Sequence, residues 1–207
     1  MLDFTRKIWQ QQDKHEGNRR RLFAAVGGGL DATRVLYPGS WADVAASMVF
    51  DDVTYVDTDR RAKRFFSDRS GVDELIAAHR RDPNRAVWSF LAQDYASDLD
   101  LQHEAFDLLV SLYAGPISAE CTQYLCIGGF LLANDSHGDA SLASLDDRYA
   151  LRGAVSTQAD SYLLDFDNPA EWLVAEGISR TREEILNAGQ GGGFTRSAFA
   201  YLFERTG

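Results

Sequence analysis

Five short apolar segments, separated by polar or helical stretches, constrain the fold of this chain more than any other feature. Their content of β-branched and aromatic residues favours strands. Strands that are apolar throughout are typical of a parallel sheet that is buried on both faces. The segments span residues 34–37, 53–57, 86–92, 106–113 and 128–134. We therefore predict an α/β fold with a doubly wound, mostly parallel sheet that helices cover on both faces.

The last third of the chain predicts a different strand arrangement. Two strand-like segments, 149–156 and 161–167, are separated by only four residues, which favours a C-terminal antiparallel hairpin over another crossover. With this hairpin the predicted sheet has seven strands. The apolar segment 198–203 fits either a strand or a helix. Thr181 and Glu184 have the spacing of a capping box that opens a last helix.

The length of 207 residues suits one hydrophobic core, so we predict a single domain over residues 1–207. Residues 1–30 form an N-terminal helical extension in this prediction. Its helix, over 15–26, is expected to stop at the glycines 27–29. Residues 168–207 are predicted to form a C-terminal helix and tail.

Charge and composition narrow the classes of function. The net charge of -10 and the pI near 4.8 exclude a general nucleic-acid binder, because phosphate backbones require a basic face. The sequence shows no apolar run that would serve as a signal peptide or span a membrane, so we expect a cytoplasmic protein with a small-molecule partner. Cys121 and Cys126 fit neither a zinc nor a redox spacing, and we expect reduced thiols. The oligomeric state is left open.

Five motifs follow one another in a characteristic order. VLYPGS contains Gly39, and VTYVDTD contains Asp57, which lies 18 residues later. AQDY lies at the end of the third segment, FDLLVS belongs to the fourth, and YLCIGGFLLAN leads into the fifth. Over residues 34–167 this order resembles that of the class I S-adenosylmethionine-dependent methyltransferases, a Rossmann-like family. The resemblance implies S-adenosylmethionine as the cofactor and methyl transfer to a small molecule, at a hydroxyl.

The resemblance also implies which residues form the site at the carboxyl ends of the strands, where open α/β sheets bind ligands. Gly39 would let the backbone approach the cofactor, Asp57 would accept the ribose hydroxyls, and Asp94 would accept the adenine amino group. The cofactor-binding residues implied are Gly39, Ser40, Asp57, Thr58, Asp94, Tyr95, Ser111 and Leu112. The substrate-binding residues implied are Trp41, Tyr113 and Asn134. The alternatives are structural: Asp57 and Asp59 would cap a helix near Arg60, and Asp94 would cap a turn.

The polar cluster NDSHGD, after the fifth strand, supplies the candidate catalytic residues. His137 carries an imidazole, which can take a proton from a hydroxyl near neutral pH, and Asp139 would orient its ring. The alternative role of His137 is to anchor the turn. Asn134 and Asp135 resemble the metal ligands of magnesium-dependent methyltransferases, but no acidic partner follows the fourth strand. We therefore expect no metal site.

Three departures from the family pattern concern the methionine end of the predicted site. Tyr37 stands where the family has an acidic residue, and Trp41 and Asp43 replace glycines. We expect Asp43 to repel a ligand carboxylate and Trp41 to occupy part of the methionine pocket. The alternative function is therefore a catalytically silent protein that binds a nucleoside or a partner protein. A dinucleotide-dependent oxidoreductase is disfavoured, because one glycine cannot replace the three of its fingerprint.

Overall fold

The computed structural model describes every residue of the chain except 81, 83, 84, 175, 176, 178, 179 and 193. Its described part contains one eight-stranded sheet with the strand order β3-β2-β1-β4-β5-β8-β6-β7. The strands are β1 Arg34–Pro38, β2 Asp52–Val56, β3 Val87–Leu91, β4 Phe106–Ser111, β5 Leu125–Ala133, β6 Tyr149–Gln158, β7 Ser161–Asp165 and β8 Ala200–Arg205. The first five strands are parallel to one another, as predicted.

The C-terminal strands complete the sheet in antiparallel fashion. β6 and β7 form the predicted hairpin, closed by a short turn at Ala159 and Asp160. β8 lies between β5 and β6 and is antiparallel to both. The prediction of seven strands is therefore corrected to eight. The apolar segment 198–203, which fitted a strand or a helix, contributes to β8, which pairs with a strand on each side.

Helices cover both faces of the sheet, which confirms the doubly wound architecture. The α-helices are α1 Asp3–Gln12, α2 Asn18–Gly29, α3 Arg60–Ser67, α4 Arg69–Ala77, α5 Ile117–Glu120, α6 Asp139–Ser144 and α7 Arg182–Ala188. Alternate residues of β1 enter different cores: Val35 and Tyr37 pack in one hydrophobic cluster, and Leu36 packs in the other. Among the described residues, no helix combines the length and the apolar character needed to cross a membrane.

The N-terminal region differs from its prediction. It contains two helices, and α2 continues through the three glycines that were expected to end it. The reason is packing: a Cβ atom on Gly27 would lie 3.0 Å from Val49, and one on Gly29 would lie 2.7 Å from Leu164 of β7. The glycines thus let α2 approach its neighbours closely.

Two shorter elements have clear local causes. The connection from β1 to β2 contains only the short 3-10 helix Ala45–Met48. At the C-terminal end, Thr181 and Glu184 form the predicted capping box, and α7 ends at Gly189 in the left-handed conformation.

Candidate functional site

A cleft of about 540 Å³ lies where the connections of the sheet reverse direction, beyond the carboxyl ends of β1 and β4. Such a switch point is the usual ligand site of an open α/β sheet. Trp41, Tyr113, Tyr162 and Phe199 form aromatic walls from four different parts of the chain. The remaining lining comes from the end of α1, the start of α2 and the residues between them, and it is polar: Gln11, Gln12, Asp13, Lys14, His15, Asn18 and Arg19.

Gly39 brings the loops after β1 and β4 into direct contact. Its φ of 64° is in the left-handed region, and its amide donates to the carbonyl of Val56 at 2.8 Å. A Cβ atom at this position would lie 2.5 Å from the Cβ of Ala114. Only glycine meets both requirements without strain. Ser40 follows in a buried position, and its hydroxyl has no hydrogen-bond partner among the described residues.

Asp57, at the end of β2, holds the loop that follows Gly39. Its Oδ2 accepts from the amide of Trp41 and its Oδ1 from the amide of Asp59, both at 2.7 Å. A carboxylate oxygen can accept two hydrogen bonds, so each oxygen keeps one acceptor position. The residue that caps α3 is Asp59, whose side chain accepts from the amide of Arg61. The capping alternative for Asp57 is therefore wrong.

A buried charge network underlies the cleft. Asp43 is 1% exposed and accepts hydrogen bonds from the amide of Ala45 at 3.0 Å and the hydroxyl of Tyr37 at 3.1 Å. The Nε of Arg19 lies 3.5 Å from Asp43 Oδ2. Burial raises the pKa of Asp43, and the Arg19 charge opposes that rise. Asp43 is thus an internal counterion, which corrects the expectation that it would repel a ligand carboxylate.

Arg19 contributes to the cleft as well as to the network. Its guanidinium carbon lies 4.8 Å from the ring centroid of Tyr113, a cation–π distance. Its Nη1 is buried and has no hydrogen-bond partner within the described part of the chain. A buried guanidinium nitrogen of this kind is a donor for a ligand oxygen.

Arg19 was not among the site residues predicted from the sequence. The signal was present in the helical spacing. Leu22, Phe23 and Val26 are buried on α2, and residue 19 completes their i, i+3, i+4, i+7 pattern. Its neighbour Arg20 falls off this face and is exposed.

None of the predicted cofactor-binding residues is among the residues that line the cleft. Gly39 and Ser40 precede Trp41 of the cleft wall, and Asp57 holds its amide. The side chain of Asp94 accepts from the amide of Ala96 at 3.0 Å, which is the turn-capping alternative. Tyr95 is half-buried, and a Cβ atom on Gly115 would lie 2.4 Å from its hydroxyl, so it packs against the loop after β4. Ser111 and Leu112 are buried in the interior, and Thr58 is exposed.

The predicted pairing of His137 with Asp139 is wrong. Asp139 is 1% exposed, and its carboxylate accepts from the hydroxyls of Ser111 and Ser118 and from the amide of Ser118. This network ties the end of β4 to α5 and α6. His137 is exposed on the preceding turn and is not among the residues that line the cleft. His15, which was not among the predicted site residues, is the histidine in the described lining of the cleft.

A second cavity of about 370 Å³ adjoins the cleft and shares Tyr113 and Phe199 with it. Asn134 lies in its wall, where its Oδ1 accepts from the amide of Tyr113 at 3.2 Å and the hydroxyl of Ser136 at 3.0 Å. The three residues predicted to bind substrate are therefore all wall residues: Trp41 in the cleft, Asn134 in the second cavity and Tyr113 in both.

Solved structures share this fold at low sequence identity. A candidate O-methyltransferase from Klebsiella pneumoniae has a TM-score of 0.54 and 9% identity, over 100% of this chain and 91% of its own. The O-methyltransferase TomG from Streptomyces achromogenes, involved in tomaymycin synthesis and solved with S-adenosylmethionine, has a TM-score of 0.50 and 10% identity over the same shares. A chain from the complex of the Haloferax volcanii Trm112 methyltransferase activator with a candidate methyltransferase has a TM-score of 0.52 and 17% identity, over 100% of this chain and 99% of its own.

No protein-family model matches the chain, and no curated protein matches its sequence. The structural neighbours are nevertheless similar over almost the whole of both chains. The protein therefore has the class I methyltransferase fold, in a form whose sequence has diverged far from these neighbours.

Proposed function

We propose that the protein is an S-adenosylmethionine-dependent methyltransferase that acts on a hydroxyl group of a small molecule. The observation that carries the proposal is the cleft at the switch point of a class I methyltransferase fold, where Nη1 of Arg19 has no hydrogen-bond partner among the described residues. A cation in this place suits a cofactor that carries a carboxylate.

Arg19 in the cleft wall, together with polar residues at and beside the loop that carries Trp41, fits the two ends of this cofactor. Asp57 retains one acceptor position on each oxygen, enough for two vicinal ribose hydroxyls. Arg19 would donate to the carboxylate of the methionine moiety. The hydroxyl of Ser40 is a further unsatisfied polar group in the loop between them. S-Adenosylmethionine would supply a methyl group on a positively charged sulfur. The acceptor oxygen would attack the methyl carbon in line, and the sulfur would leave as the thioether of S-adenosylhomocysteine.

The position of Trp41 supports an active enzyme over the catalytically silent alternative. The silent alternative requires the indole to fill the methionine pocket. Trp41 is instead one wall of a cleft that keeps about 540 Å³, within the usual range for small-molecule sites. The amide that Trp41 donates to Asp57 fixes the backbone of this wall.

The chain would contribute positioning and proton transfer to the reaction. Holding an acceptor against the methyl group supplies most of the rate that an enzyme of this kind needs. A hydroxyl acceptor also loses a proton, and an imidazole accepts one near neutral pH. His15 is the histidine on the cleft wall, so we assign this role to His15 rather than His137.

Transfer of labelled methyl from S-adenosylmethionine to a panel of small hydroxyl compounds tests this proposal. His15→Ala should lower the rate about a hundredfold, and His137→Ala should leave it unchanged. Both side chains are exposed, so each variant controls for the other. Equal losses in the two variants would contradict the assignment of His15. Binding of S-adenosylhomocysteine without transfer to any compound would favour the silent alternative.

A further inference from the structure

The second cavity is distinctive because four aromatic residues line it. Tyr113 and Phe199 stand edge to face with their ring centroids 6.4 Å apart, and Phe194 and Tyr201 do so at 5.7 Å. All four residues line the cavity. Aromatic faces carry negative potential, so a group enclosed by several rings is favoured when it is positively charged.

Asp135 is the one carboxylate among the described residues that line this cavity. Its Oδ1 accepts from the amide of Ser141 at 2.8 Å and its Oδ2 from the Ser141 hydroxyl at 2.9 Å, which leaves one acceptor position on each oxygen. The described part of the chain provides no ion pair for it. Burial raises the pKa of Asp135, as expected for a carboxylate held away from water.

A glycine-rich loop shields the same carboxylate. A Cβ atom on Gly191 would lie 1.7 Å from Asp135 Oδ2, so the backbone of the loop packs directly against it. The amide of Gly192 donates at 3.0 Å to the Ser141 hydroxyl that also bonds Asp135. The loop after α7 and the loop after β5 are therefore locked together beside the cavity.

The charge balance of the cavity indicates its ligand. Its described lining includes no lysine, arginine or histidine, and apart from Asp135 its polar groups are uncharged. Arg180 lowers the pKa of Asp135 through its charge, but it lines a different cavity and donates to the carbonyls of Gln190 and Gly191. A bound anion would be repelled by Asp135, which forms no ion pair with a described residue, whereas a cation would pair with it.

We propose that the second cavity binds a protonated or quaternary ammonium group, held by Asp135 and by the surrounding aromatic rings. Its role as the binding site for one end of the methyl acceptor rests on the function proposed above. An ammonium nitrogen has no lone pair to attack a methyl group, so the bound cation anchors the molecule. The acceptor class is then a hydroxylated amine, whose hydroxyl extends past Tyr113 and Phe199 into the cleft.

Calorimetric titration of the full chain with choline chloride tests this site without any cofactor. The control ligand is the neutral isostere of choline, in which carbon replaces the quaternary nitrogen, and sodium chloride controls for ionic strength. We expect choline to bind about tenfold more tightly than the isostere. Equal affinities would overturn the proposal, because a merely apolar cavity would not distinguish the two.

Two variants test the groups that hold the cation. Asp135→Asn should weaken choline binding about tenfold, whereas Asp160→Asn removes an equal charge from the exposed hairpin turn and should change nothing. If the first variant fails to fold, Phe194→Leu, which keeps an apolar side chain but removes a ring, should weaken binding about fivefold. Choline affinity retained in a folded Asp135→Asn or in Phe194→Leu would overturn the proposal.

A parallel titration with S-adenosylhomocysteine separates the two proposals. Choline binding without S-adenosylhomocysteine binding would support the cavity and remove the methyltransferase function. The opposite result would overturn the cavity and leave that function in place.

Discussion

Arg19 of α2 lies over the buried carboxylate of Asp43, with 3.5 Å between Arg19 Nε and Asp43 Oδ2. Removing one member of a buried ion pair leaves an uncompensated charge. Arg19→Ala should therefore lower the free energy of unfolding by about 3 kcal/mol. The loss should be smaller in mild acid, where Asp43 can take up a proton, since burial already raises its pKa.

Arg20→Ala is the matched control for this substitution, because Arg20 is exposed on the same turn of α2. It should change stability by no more than about 0.5 kcal/mol. Denaturant titrations of both variants provide the measurement. Equal stability of the two would mean that the Arg19–Asp43 pair contributes nothing to the fold.

Replacing Gly39 should destabilise the protein in two ways, through a steric clash with Ala114 and through backbone strain, and a second substitution can separate them. Gly39→Ala places a Cβ 2.5 Å from Ala114 in a left-handed backbone and should destabilise the protein by roughly 2–3 kcal/mol. Adding Ala114→Gly removes the contact and should recover part of that loss. Gly28→Ala, in α2 with open space around its Cβ position, should instead stabilise by about 0.5–1 kcal/mol. A neutral Gly39→Ala would show that the two loops are not packed as described.

Asp57 both holds the loop after Gly39 and is proposed to bind the ribose of the cofactor. Asp57→Asn keeps an oxygen for one of the two backbone amides but loses the charge. We expect affinity for S-adenosylhomocysteine to fall by about 1.5–3 kcal/mol, as for a lost charge-assisted hydrogen bond. Calorimetry and thermal melting measure the two effects separately. A lower melting temperature with unchanged affinity would make Asp57 a loop anchor only.

Asp139 should make stability depend on pH. Burial raises its pKa from the ordinary 3.8 to about 6, so the folded state retains a proton that the unfolded state loses between these values. Stability from this group is therefore complete below about pH 4 and is lost as the pH rises to about 6, by roughly 3 kcal/mol in all. Other carboxylates also titrate in this range, so the measured quantity is the difference between the wild type and Asp139→Asn.

The contribution of Asp146 to stability should depend on pH in the opposite direction to that of Asp139. Arg148 lowers its pKa, so its contribution appears as the pH rises and is lost in acid. The stability difference between the wild type and Asp146→Asn should therefore increase with pH, whereas that for Asp139→Asn should decrease. Parallel pH dependences in the two variants would contradict the raised pKa of Asp139.

The fold could be predicted because β1, β2 and β4 are buried on both faces and therefore consist largely of apolar residues, although β3 at the edge of the sheet is only partly buried. β8 was ambiguous for the same reason, since a short apolar run also fits a buried helix. Its place between β5 and β6 depends on pairing with distant segments. The glycines at the end of α2 were misjudged because close packing and helix termination both favour glycine.

The site was predicted only where motif order fixes position. Asp57 ends β2 as expected and contacts the loop after Gly39. The direction of a side chain on a loop is not encoded in spacing, so His137 and Asp139 were paired wrongly. Arg19 lies far from the motifs in sequence, and tertiary packing of α2 brings it to the cleft.

We propose that the cleft beside Arg19 binds S-adenosylmethionine, and calorimetric titration with S-adenosylhomocysteine measures this binding. Asp43→Asn removes the buried acid but keeps the Arg19 cation, so this variant and the wild type should both bind. The double variant Arg19→Gln with Asp43→Asn avoids a stranded charge and should bind at least about tenfold more weakly. If the wild type gives no heat of binding at millimolar S-adenosylhomocysteine, the cleft does not bind this cofactor, and only the fold remains established.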